Sequence, residues 1–251
     1  MKIAVCVKQV PEGTKRIDRA TMRLDRSGEG ALNGFDAHAV EEALRVKDAA
    51  GGGEIVLVSM GPAKAADALR KALAMGADRS VLVTDDAAAG ADLVGTSRVL
   101  AAVLEREQAD LVLFGQQAAD ADGAVLWSAV AERLRRPVIS QVAELTVADG
   151  KARGKRQTEF GYDVIEATLP AVVAVSDAIN EPRYPSLKGI MGAKSKPQET
   201  LTLADLGVEA GAKTEVLALS DPPPRGDTTK IEDDGSAAQK VLDLVVERKL
   251  L

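Results

Sequence analysis

The sequence predicts an α/β protein with a doubly wound, mostly parallel sheet, an appended antiparallel ribbon and a C-terminal arm. Before Pro137, short apolar runs alternate four times with stretches of helical apolar spacing, through short connections. After Pro137 the chain instead alternates apolar and polar residues, as a half-exposed strand does. It ends in an amphipathic stretch beyond a Pro-rich linker.

Composition narrows the possible functions. A chain of 251 residues with 46% hydrophobic content can bury a substantial core. The net charge of −6 gives no reason to expect nucleic-acid binding, and 2% aromatic content is too little for a base-stacking platform or a flavin cage. The single cysteine, Cys6, excludes an internal disulfide and favours a reducing, cytoplasmic location. Only five apolar residues follow Lys2, so neither a signal peptide nor a membrane span is expected.

Four short apolar runs predict strands that are buried on both faces of the sheet. They are residues 2–8, 55–58, 81–83 and 111–114. A polar, turn-rich segment (residues 15–31) separates the first strand from the first helix. A loop of this length in a compact domain is more often functional or partner-bound than idle.

Apolar residues at helical spacing predict four helices. The first has Asp36 as its expected N-cap and the fourth has Asp122, while the second and third span residues 62–76 and about 91–108. The residues expected to face inward are Val40, Ala43, Leu44, Ala66, Leu69, Leu73, Leu93, Leu100, Val103, Leu104, Leu126, Val130 and Leu134.

The second half of the chain predicts the antiparallel ribbon. A strand at 142–147 is followed by Asp149-Gly150, a strong signal for a tight hairpin, and by a basic strand at 151–157. Gly161 marks another turn before a strand at 164–169. The apolar run 171–175 is expected to return into the parallel sheet.

Residues 180–197 form a basic segment that also carries apolar side chains. Its sequence is NEPRYPSLKGIMGAKSKP, with Leu187, Ile190 and Met191 among four cations. Such a segment can be a docking surface, where charge steers encounter and an apolar anchor supplies affinity. A solvated helix that covers the sheet edge is the alternative, and these residues alone favour it.

Downstream residues predict a short helix at 201–207, a strand at 214–219 and an extended linker at 221–226. Residues 237–251 form an amphipathic tail with Val241, Leu244 and Val245 on one face. The tail docks either on another chain or on its own domain. The organisation expected is an α/β domain over residues 1–220 and a linker with a helical arm over residues 221–251.

Residues 111–126, LVLFGQQAADADGAVL, have the pattern strand, loop, helix start. In an open α/β sheet, small ligands bind outside the carboxyl ends of the strands, and a helix N-terminus favours an anion such as phosphate. From these residues alone, an ordinary tight turn between strand and helix is the slightly favoured interpretation.

Catalytic signatures are missing. There is no glycine-rich dinucleotide fingerprint after the first strand and no phosphate-binding P-loop. One histidine, His38, and one cysteine cannot build a common zinc site, so no metal site is expected. His38 is interpreted as a surface or packing residue. The sequence therefore predicts a binding protein rather than a self-contained enzyme.

Several stretches together resemble the beta subunit of electron transfer flavoprotein. They are VCVKQVP (5–11), AVEEALRVKD (39–48), KALAMGADR (71–79), GQQAADADG (115–123), ATLPAVVAV (167–175) and the distinctive segment at 180–197. The resemblance implies an adenine-nucleotide-binding, Rossmann-like fold and a heterodimer with a flavin-bearing alpha subunit, on which the arm docks. Such a dimer carries electrons from acyl-CoA and related dehydrogenases to a membrane quinone oxidoreductase, in the cytoplasm or, in eukaryotes, the mitochondrial matrix.

The resemblance also implies cofactors and the residues that hold them. FAD lies mainly in the alpha subunit, near Phe35, and one structural AMP is buried in the beta subunit. The matching cofactor-binding positions are Cys6, Asn33, Gly34, Phe35, Asp36, Met60, Gly115, Gln116, Gln117, Ala118, Ala119, Asp120, Ala121, Asp122, Gly123, Ala124, Val125 and Leu126. Many members have Asn-Gln-Thr where this chain has Ala124-Val125-Leu126, so side-chain donors to the phosphate are lost there, although backbone N–H groups remain.

Partner-binding positions follow in the same way. Leu187 matches the apolar anchor of the family's recognition loop, which inserts into a pocket of the partner dehydrogenase, and Arg156 matches a basic interface position. The full set implied is Arg156, Arg183, Tyr184, Leu187, Ile190, Met191 and Lys194.

Three alternatives stand beside this interpretation. Some family members bind a second FAD in the AMP site and bifurcate electrons. A stand-alone ATP-binding protein of the universal-stress type would be a homodimer without a flavoprotein partner. An ATP-dependent ligase of the same fold class would need a Ser-Gly-Gly-type loop after the first strand, and residues 8–11 (KQVP) do not provide one.

Overall fold

The computed structural model describes residues 1–13, 16–224 and 229–250. They fall into two compact units, Met1–Val216 and Leu217–Leu251. Lys15 of the predicted polar segment, positions 225 and 226 of the predicted linker, and the last residue of the predicted tail lie outside the described residues.

The first unit contains the strands and six of the helices. The strands are β1 (Lys2–Cys6), β2 (Gln9–Pro11), β3 (Ile17–Asp18), β4 (Arg23–Leu24), β5 (Gly30–Leu32), β6 (Glu54–Met60), β7 (Arg79–Val83), β8 (Leu111–Gly115), β9 (Val138–Ala148), β10 (Lys151–Thr158), β11 (Gly161–Thr168), β12 (Ala171–Val175) and β13 (Gln198–Leu201). The helices are α1 (Gly34–Ala49), α2 (Ala66–Met75), α3 (Leu93–Glu107), α4 (Leu126–Leu134), α5 (Leu187–Ala193) and α6 (Leu203–Leu206). Short 3₁₀ turns span Ala63–Ala65 and Asp86–Ala88.

Nine strands form the main sheet, in the order β11-β10-β9-β12-β8-β1-β6-β7-β13. All pairs from β9–β12 to β7–β13 are parallel, and β9, β10 and β11 pair antiparallel. The predicted α/β class, the mostly parallel sheet and the appended ribbon are thus confirmed.

Helices cover both faces of the sheet. Leu44 of α1 and Leu69 of α2 belong to one buried cluster, while Leu104 of α3 and Val130 of α4 belong to the other. The strands between them are apolar on both faces for this reason, and every residue of β8 is buried. Most of the expected inward-facing residues are buried, but Leu93 is 40% exposed because it is the first residue of its helix.

Both predicted N-caps are wrong. The first helix begins at Gly34 with Asn33 as N-cap, because the Asn33 carbonyl already accepts the N–H groups of Asp36 and Ala37. The fourth begins at Leu126 with Val125 as N-cap. Asp122 instead lies in a turn, with a φ of 45° and its N–H donated to the carbonyl of Ala118. The expected stripe of α1 begins at Val40, inside the helix, whereas that of α4 begins at Leu126, the first helical residue, and not next to Asp122.

The antiparallel ribbon agrees closely with the one that the sequence predicts. Asp149 and Gly150 have φ values of 51° and 71°, as a two-residue type I′ turn between β9 and β10 requires. β12 returns between β8 and β9 and is buried along its whole length.

Other elements differ from the prediction. The described part of the polar segment holds one small antiparallel pair, β3–β4, and its end pairs with the residues before it as β2–β5. Residues 198–201 are the edge strand β13, so the predicted helix at 201–207 shrinks to α6. Residues 214–219 are described and are not a strand. Apolar alternation alone does not make a strand where no neighbouring strand supplies hydrogen bonds.

The second unit contains α7 (Ala237–Glu247), which confirms the predicted helical tail. Val241 and Leu242 are each nearly half exposed, and Val246 is more exposed. Within the described residues, no helix is both long enough and apolar enough to cross a bilayer.

A buried carboxylate ties the amino end of the sheet together. Glu107, at the end of α3, has a 5% exposed side chain that accepts from Lys2 at 2.9 Å and from Arg79. We expect Glu107→Ala to lower the free energy of unfolding by about 2 kcal/mol, because Lys2 and Arg79 lose a buried acceptor and keep only Glu54, which is more exposed. Glu105→Ala, on the exposed face of the same helix, should change it by less than about 0.5 kcal/mol. Urea unfolding of both variants makes the comparison, and equal effects would contradict the assigned role of Glu107.

Candidate functional site

The sheet has its topological switch point between β1 and β8. From β1 the chain proceeds to β6 and β7 on one side, and then crosses to β8 on the other side of β1. A crevice opens between the carboxyl ends of two such strands, and doubly wound folds bind ligands there. The loop after β8, residues 115–126, lies at this crevice, and we call it the switch-point loop.

Asn33 fastens the switch-point loop to the start of α1. Its side chain is buried, donates to the carbonyl of Gln117 at 2.9 Å and accepts the N–H of Ala119 at 3.1 Å. Its own N–H is donated to the carbonyl of Lys8. Asn33 therefore joins the segments that follow β1 and β8, which are far apart in sequence.

Gly115 permits a close approach of the same two elements. A Cβ at this position would lie 2.5 Å from the backbone carbon of Phe35 and 2.6 Å from a carboxylate oxygen of Asp36. Half-buried Phe35 thus packs directly against the end of β8. No side chain larger than hydrogen fits here without movement of the α1 backbone.

Asp120 is the electrostatic centre of the switch-point loop. Its side chain is fully buried and accepts from Lys8 at 2.8 Å and from Arg26. Although burial acts to raise it, the hydrogen bonds and charges of these two cations hold the pKa of Asp120 below its ordinary value. The carboxylate is ionised at neutral pH and is occupied by protein partners.

Asp36 and Cys6 are buried next to the end of β8. Burial raises the pKa of Asp36 to about 7, against the hydrogen bonds that the Asn33 side chain and the Lys8 N–H donate to it. Burial also raises the pKa of the Cys6 thiol, and the Asp36 charge adds to this. Cys6 is therefore a neutral core residue at the end of β1.

The titration of Asp36 gives a pH-dependent stability. The folded protein keeps this proton up to about pH 7, whereas the unfolded chain releases it near pH 3.8. The contribution of Asp36 to the free energy of unfolding therefore falls as the pH rises through this range, by about 1.4 kcal/mol per unit. The difference in unfolding free energy between the wild type and Asp36→Asn should show this slope between about pH 4.5 and 6.5. A pH-independent difference would contradict it.

The start of α4 offers backbone donors but no capping side chain. Its N-cap, Val125, makes no side-chain capping bond to any described residue, so the first N–H groups of the helix remain available. Trp127 Nε1 donates to the carbonyl of Gln116 at 3.0 Å and fixes the other end of the switch-point loop. A Cβ added at Gly34 or Gly123 would meet no described atom within 4 Å. The start of α4 thus offers backbone donors that suit an anionic group such as a nucleotide phosphate.

The structure places most of the predicted cofactor positions together. Cys6, the residues from Asn33 to Asp36 and the switch-point loop meet at the ends of β1 and β8. Met60 is half-buried at the end of β6, the next strand. No group of three His, Cys, Asp or Glu side chains in the described ranges is arranged to hold a metal ion.

A second site is the segment of residues 180–197, which we call the docking segment. Tyr184 is 94% exposed, Leu187 81% and Met191 76%. Leu187, Ile190 and Met191 lie at positions i, i+3 and i+4 of α5, so they share one face of the helix. Apolar side chains exposed to this degree in one patch are typical of an interaction surface.

The docking segment is fastened to α1 and α2 on its other side. Arg183 pairs with buried Glu41 of α1 through two side-chain bonds, of 2.7 and 3.1 Å. Lys196 donates to the carbonyls of Leu73 and Ala77 at the end of α2, at 2.8 and 2.6 Å. The exposed apolar side chains are thus held on a fixed support.

The remaining predicted partner positions differ from one another. Lys194 is exposed next to α5, and Arg183 is engaged with Glu41. Arg156 lies on a different element, β10, at a break in register, and its buried Nε has no hydrogen-bond partner among the described residues. His38, interpreted as a packing residue, has Nδ1 3.0 Å from the carbonyl oxygen of Asn180, so it helps to hold the docking segment.

Three residues near the switch-point loop are not among the site residues that the sequence predicts. Lys8 is the polar residue that closes the apolar run of the predicted first strand, and its place at the carboxyl end of that strand is the signal that points to it. Arg26 arrives from the polar segment, and nothing local in the sequence indicates its contact with Asp120. Trp127 is the third such residue. Its signal is that it is the only tryptophan of the sequence and follows the switch-point loop.

The chain matches known proteins over nearly its whole length. The family profile described as "Electron transfer flavoprotein domain" matches residues 21–206. Electron transfer flavoprotein subunit beta of Mycobacterium tuberculosis is 37% identical, with 99% of each chain covered. The caffeyl-CoA reductase-Etf complex subunit CarD of Acetobacterium woodii is 40% identical, covering 96% of this chain and 98% of its own. Electron transfer flavoprotein subunit beta of Megasphaera elsdenii is 36% identical, covering 99% and 97%.

The comparisons remove the universal-stress alternative, because they cover the docking segment as well as the switch-point loop. The family consists of electron-transfer proteins associated with flavin and nucleotide rather than self-contained enzymes. With its fold and its sequence in agreement, the chain belongs to the family of electron transfer flavoprotein beta subunits.

Proposed function

We propose that this chain pairs with a flavin-bearing alpha subunit. The heterodimer accepts electrons from acyl-CoA and related dehydrogenases and passes them toward a membrane quinone oxidoreductase, and this subunit holds a structural AMP. The observation that carries the proposal is the docking segment. It presents three exposed apolar side chains from α5, with exposed Tyr184 just before the helix. The flanking residues Arg183 and Lys196 fasten the segment to the domain.

The crevice supports the nucleotide part of the proposal. Asn33 and Gly115 hold the switch-point loop against α1, and the free N–H groups of α4 are suited to a phosphate. When bound in the alpha subunit, FAD supplies the redox chemistry of the complex. The residues of this chain bind, orient and exclude water, and none is assigned a bond-making role.

The names of the relatives support the partners. "Subunit beta" indicates an assembly with another subunit in those proteins, and the Acetobacterium relative belongs to a complex with caffeyl-CoA reductase. For this chain we infer an alpha subunit and a partner that oxidises or reduces acyl-CoA compounds. We propose two contacts with the alpha subunit. One is the buried Nε of Arg156, which lacks an acceptor among described residues, and the other is the exposed apolar face of α7. The proposed location of the complex is the cytoplasm.

Co-expression with an alpha subunit tests the proposal. We expect a yellow 1:1 complex that contains one FAD and one AMP per heterodimer, and whose flavin is reduced by an acyl-CoA dehydrogenase with its substrate. Acid extraction and chromatography quantify both nucleotides. A colourless chain that forms no complex with an alpha subunit would contradict the proposal.

A second FAD in the crevice, with electron bifurcation, is the other candidate. Gly34 and Gly123 are exposed and a Cβ at either would meet no described atom within 4 Å, so the surroundings of neither residue limit the ligand to AMP. Two flavins and no AMP per heterodimer would establish this candidate in place of the first.

A further inference from the structure

Two cations and one carboxylate meet beside the switch-point loop. Lys8 follows β1, Arg26 comes from the polar segment, and both donate to Asp120. The side chains of Lys8 and Arg26 are 39% and 38% exposed, whereas that of Asp120 is fully buried. The carboxylate therefore faces the protein, while both cations keep part of their surface toward solvent.

The charges of this group do not balance. One carboxylate neutralises one of the two cations, so the three side chains carry a net charge of +1. Each cation also has N–H groups beyond those that bind described residues, because an ammonium has three and a guanidinium has five. A phosphate next to this group can therefore accept charge-assisted hydrogen bonds without displacing Asp120.

The start of α4 creates a need for such cations. Ala124, Val125 and Leu126 carry no side-chain donor, so a phosphate there has only backbone N–H groups and the helix dipole. A phosphate that enters a partly buried crevice requires compensating charge. Lys8 and Arg26 are the cations that hydrogen bonds fix to this loop.

We propose that Lys8 and Arg26 form the phosphate-binding pair of the nucleotide site, with Asp120 as the residue that positions both. The proposal deepens the proposed function, because it rests on an adenine nucleotide in the crevice. It also assigns a role to the polar segment, which carries Arg26 to the site. The ligand chemistry recognised is a nucleotide phosphate and not the adenine ring.

The competing explanation is purely structural. Arg26 also lies within 3.5 Å of the Gln9 carbonyl, and Lys64 Nζ donates to the carbonyl of Gly28 in the same segment. In this explanation, the ion pair between Arg26 and Asp120 fastens the polar segment and has no role in ligand binding. The two explanations differ in their effect on ligands with and without a phosphate.

Calorimetric titration of the nucleotide-free full chain with AMP and with adenosine distinguishes them. Lys8→Met and Arg26→Met should each raise the Kd for AMP about tenfold or more and leave the Kd for adenosine unchanged. Lys64→Met is the matched control, which removes a cation from the same neighbourhood and should alter neither constant. Lys8→Arg and Arg26→Lys keep the charge and should restore most of the AMP affinity.

Equal weakening of AMP and adenosine, or no weakening, would overturn the phosphate role and leave the nucleotide site intact. Wild-type protein that binds neither ligand would overturn the proposed nucleotide site together with this inference. If the Met variants do not fold, wild-type AMP affinity should still fall with added salt while adenosine affinity stays constant. An equal salt response of both ligands would then contradict the proposal.

Discussion

Leu187→Ala is expected to lower the kcat/KM of electron transfer from an acyl-CoA dehydrogenase by about 30-fold, which corresponds to a binding hot spot of about 2 kcal/mol. Leu187 is 81% exposed at the first position of α5, so its truncation removes contact area from a partner and not from the core. FAD and AMP contents and the thermal transition should be unchanged. Stopped-flow absorbance of the flavin measures the rate.

Leu93→Ala is the control for this variant. Leu93 is also a leucine at the first position of a helix, is 40% exposed and lies outside the docking segment. It should leave the rate within about twofold of the wild type, since isolated surface apolar residues contribute little. If both variants transfer electrons normally, Leu187 is not the anchor.

Gly115→Ala is expected to destabilise the protein by about 3 kcal/mol or more and to abolish nucleotide retention. The added Cβ would lie 2.5 Å from the α1 backbone and 2.6 Å from Asp36, and neither neighbour is the flexible end of a long side chain. Relief requires movement of α1 away from β8, which also displaces Asn33 from the switch-point loop. Chemical unfolding and nucleotide extraction measure the two effects.

Gly123→Ala is the matched comparison in the same loop. A Cβ at Gly123 meets no described atom within 4 Å, so the unfolding free energy should stay within about 0.5 kcal/mol of the wild type. Similar losses of unfolding free energy in both variants would show that neither glycine of this loop can be replaced by a larger residue. The close approach of α1 to β8 would then not be the cause.

Elements with a strong local signal were predictable from the sequence. The buried strands have no polar face, and the Asp149-Gly150 turn has a backbone geometry that few residue pairs adopt. The N-caps were not predictable from the apolar stripe. The expected stripe of α1 begins at Val40, well inside the helix, and the stripe of α4 begins at its first residue, Leu126, without indicating where the preceding loop ends. The edge strand β13 has a single buried residue, Leu201, and so lacks an apolar signature.

The same distinction, between features with and without a local sequence signal, applies to the candidate sites. The switch-point loop was predictable because it directly follows a buried strand, whereas the contact of Arg26 with Asp120 spans 94 residues and has no local signal. For the docking segment, the structure shows a helix with a packed face and an exposed face, and docking to a partner stays a prediction. Helix α5 packs on α2, and its exposed face carries the apolar side chains. Sequence gives the composition of such a segment, but the contact with α2 decides which face is free.

A crystal structure of the heterodimer, purified without added nucleotide, tests the central claim most directly. The account predicts electron density for one AMP in the crevice between Asn33 and the switch-point loop, with the docking segment exposed. The phosphate of this AMP should lie within hydrogen-bond distance of Lys8 and Arg26. An isoalloxazine ring in this crevice, or an adenine nucleotide bound elsewhere on the chain, would contradict it.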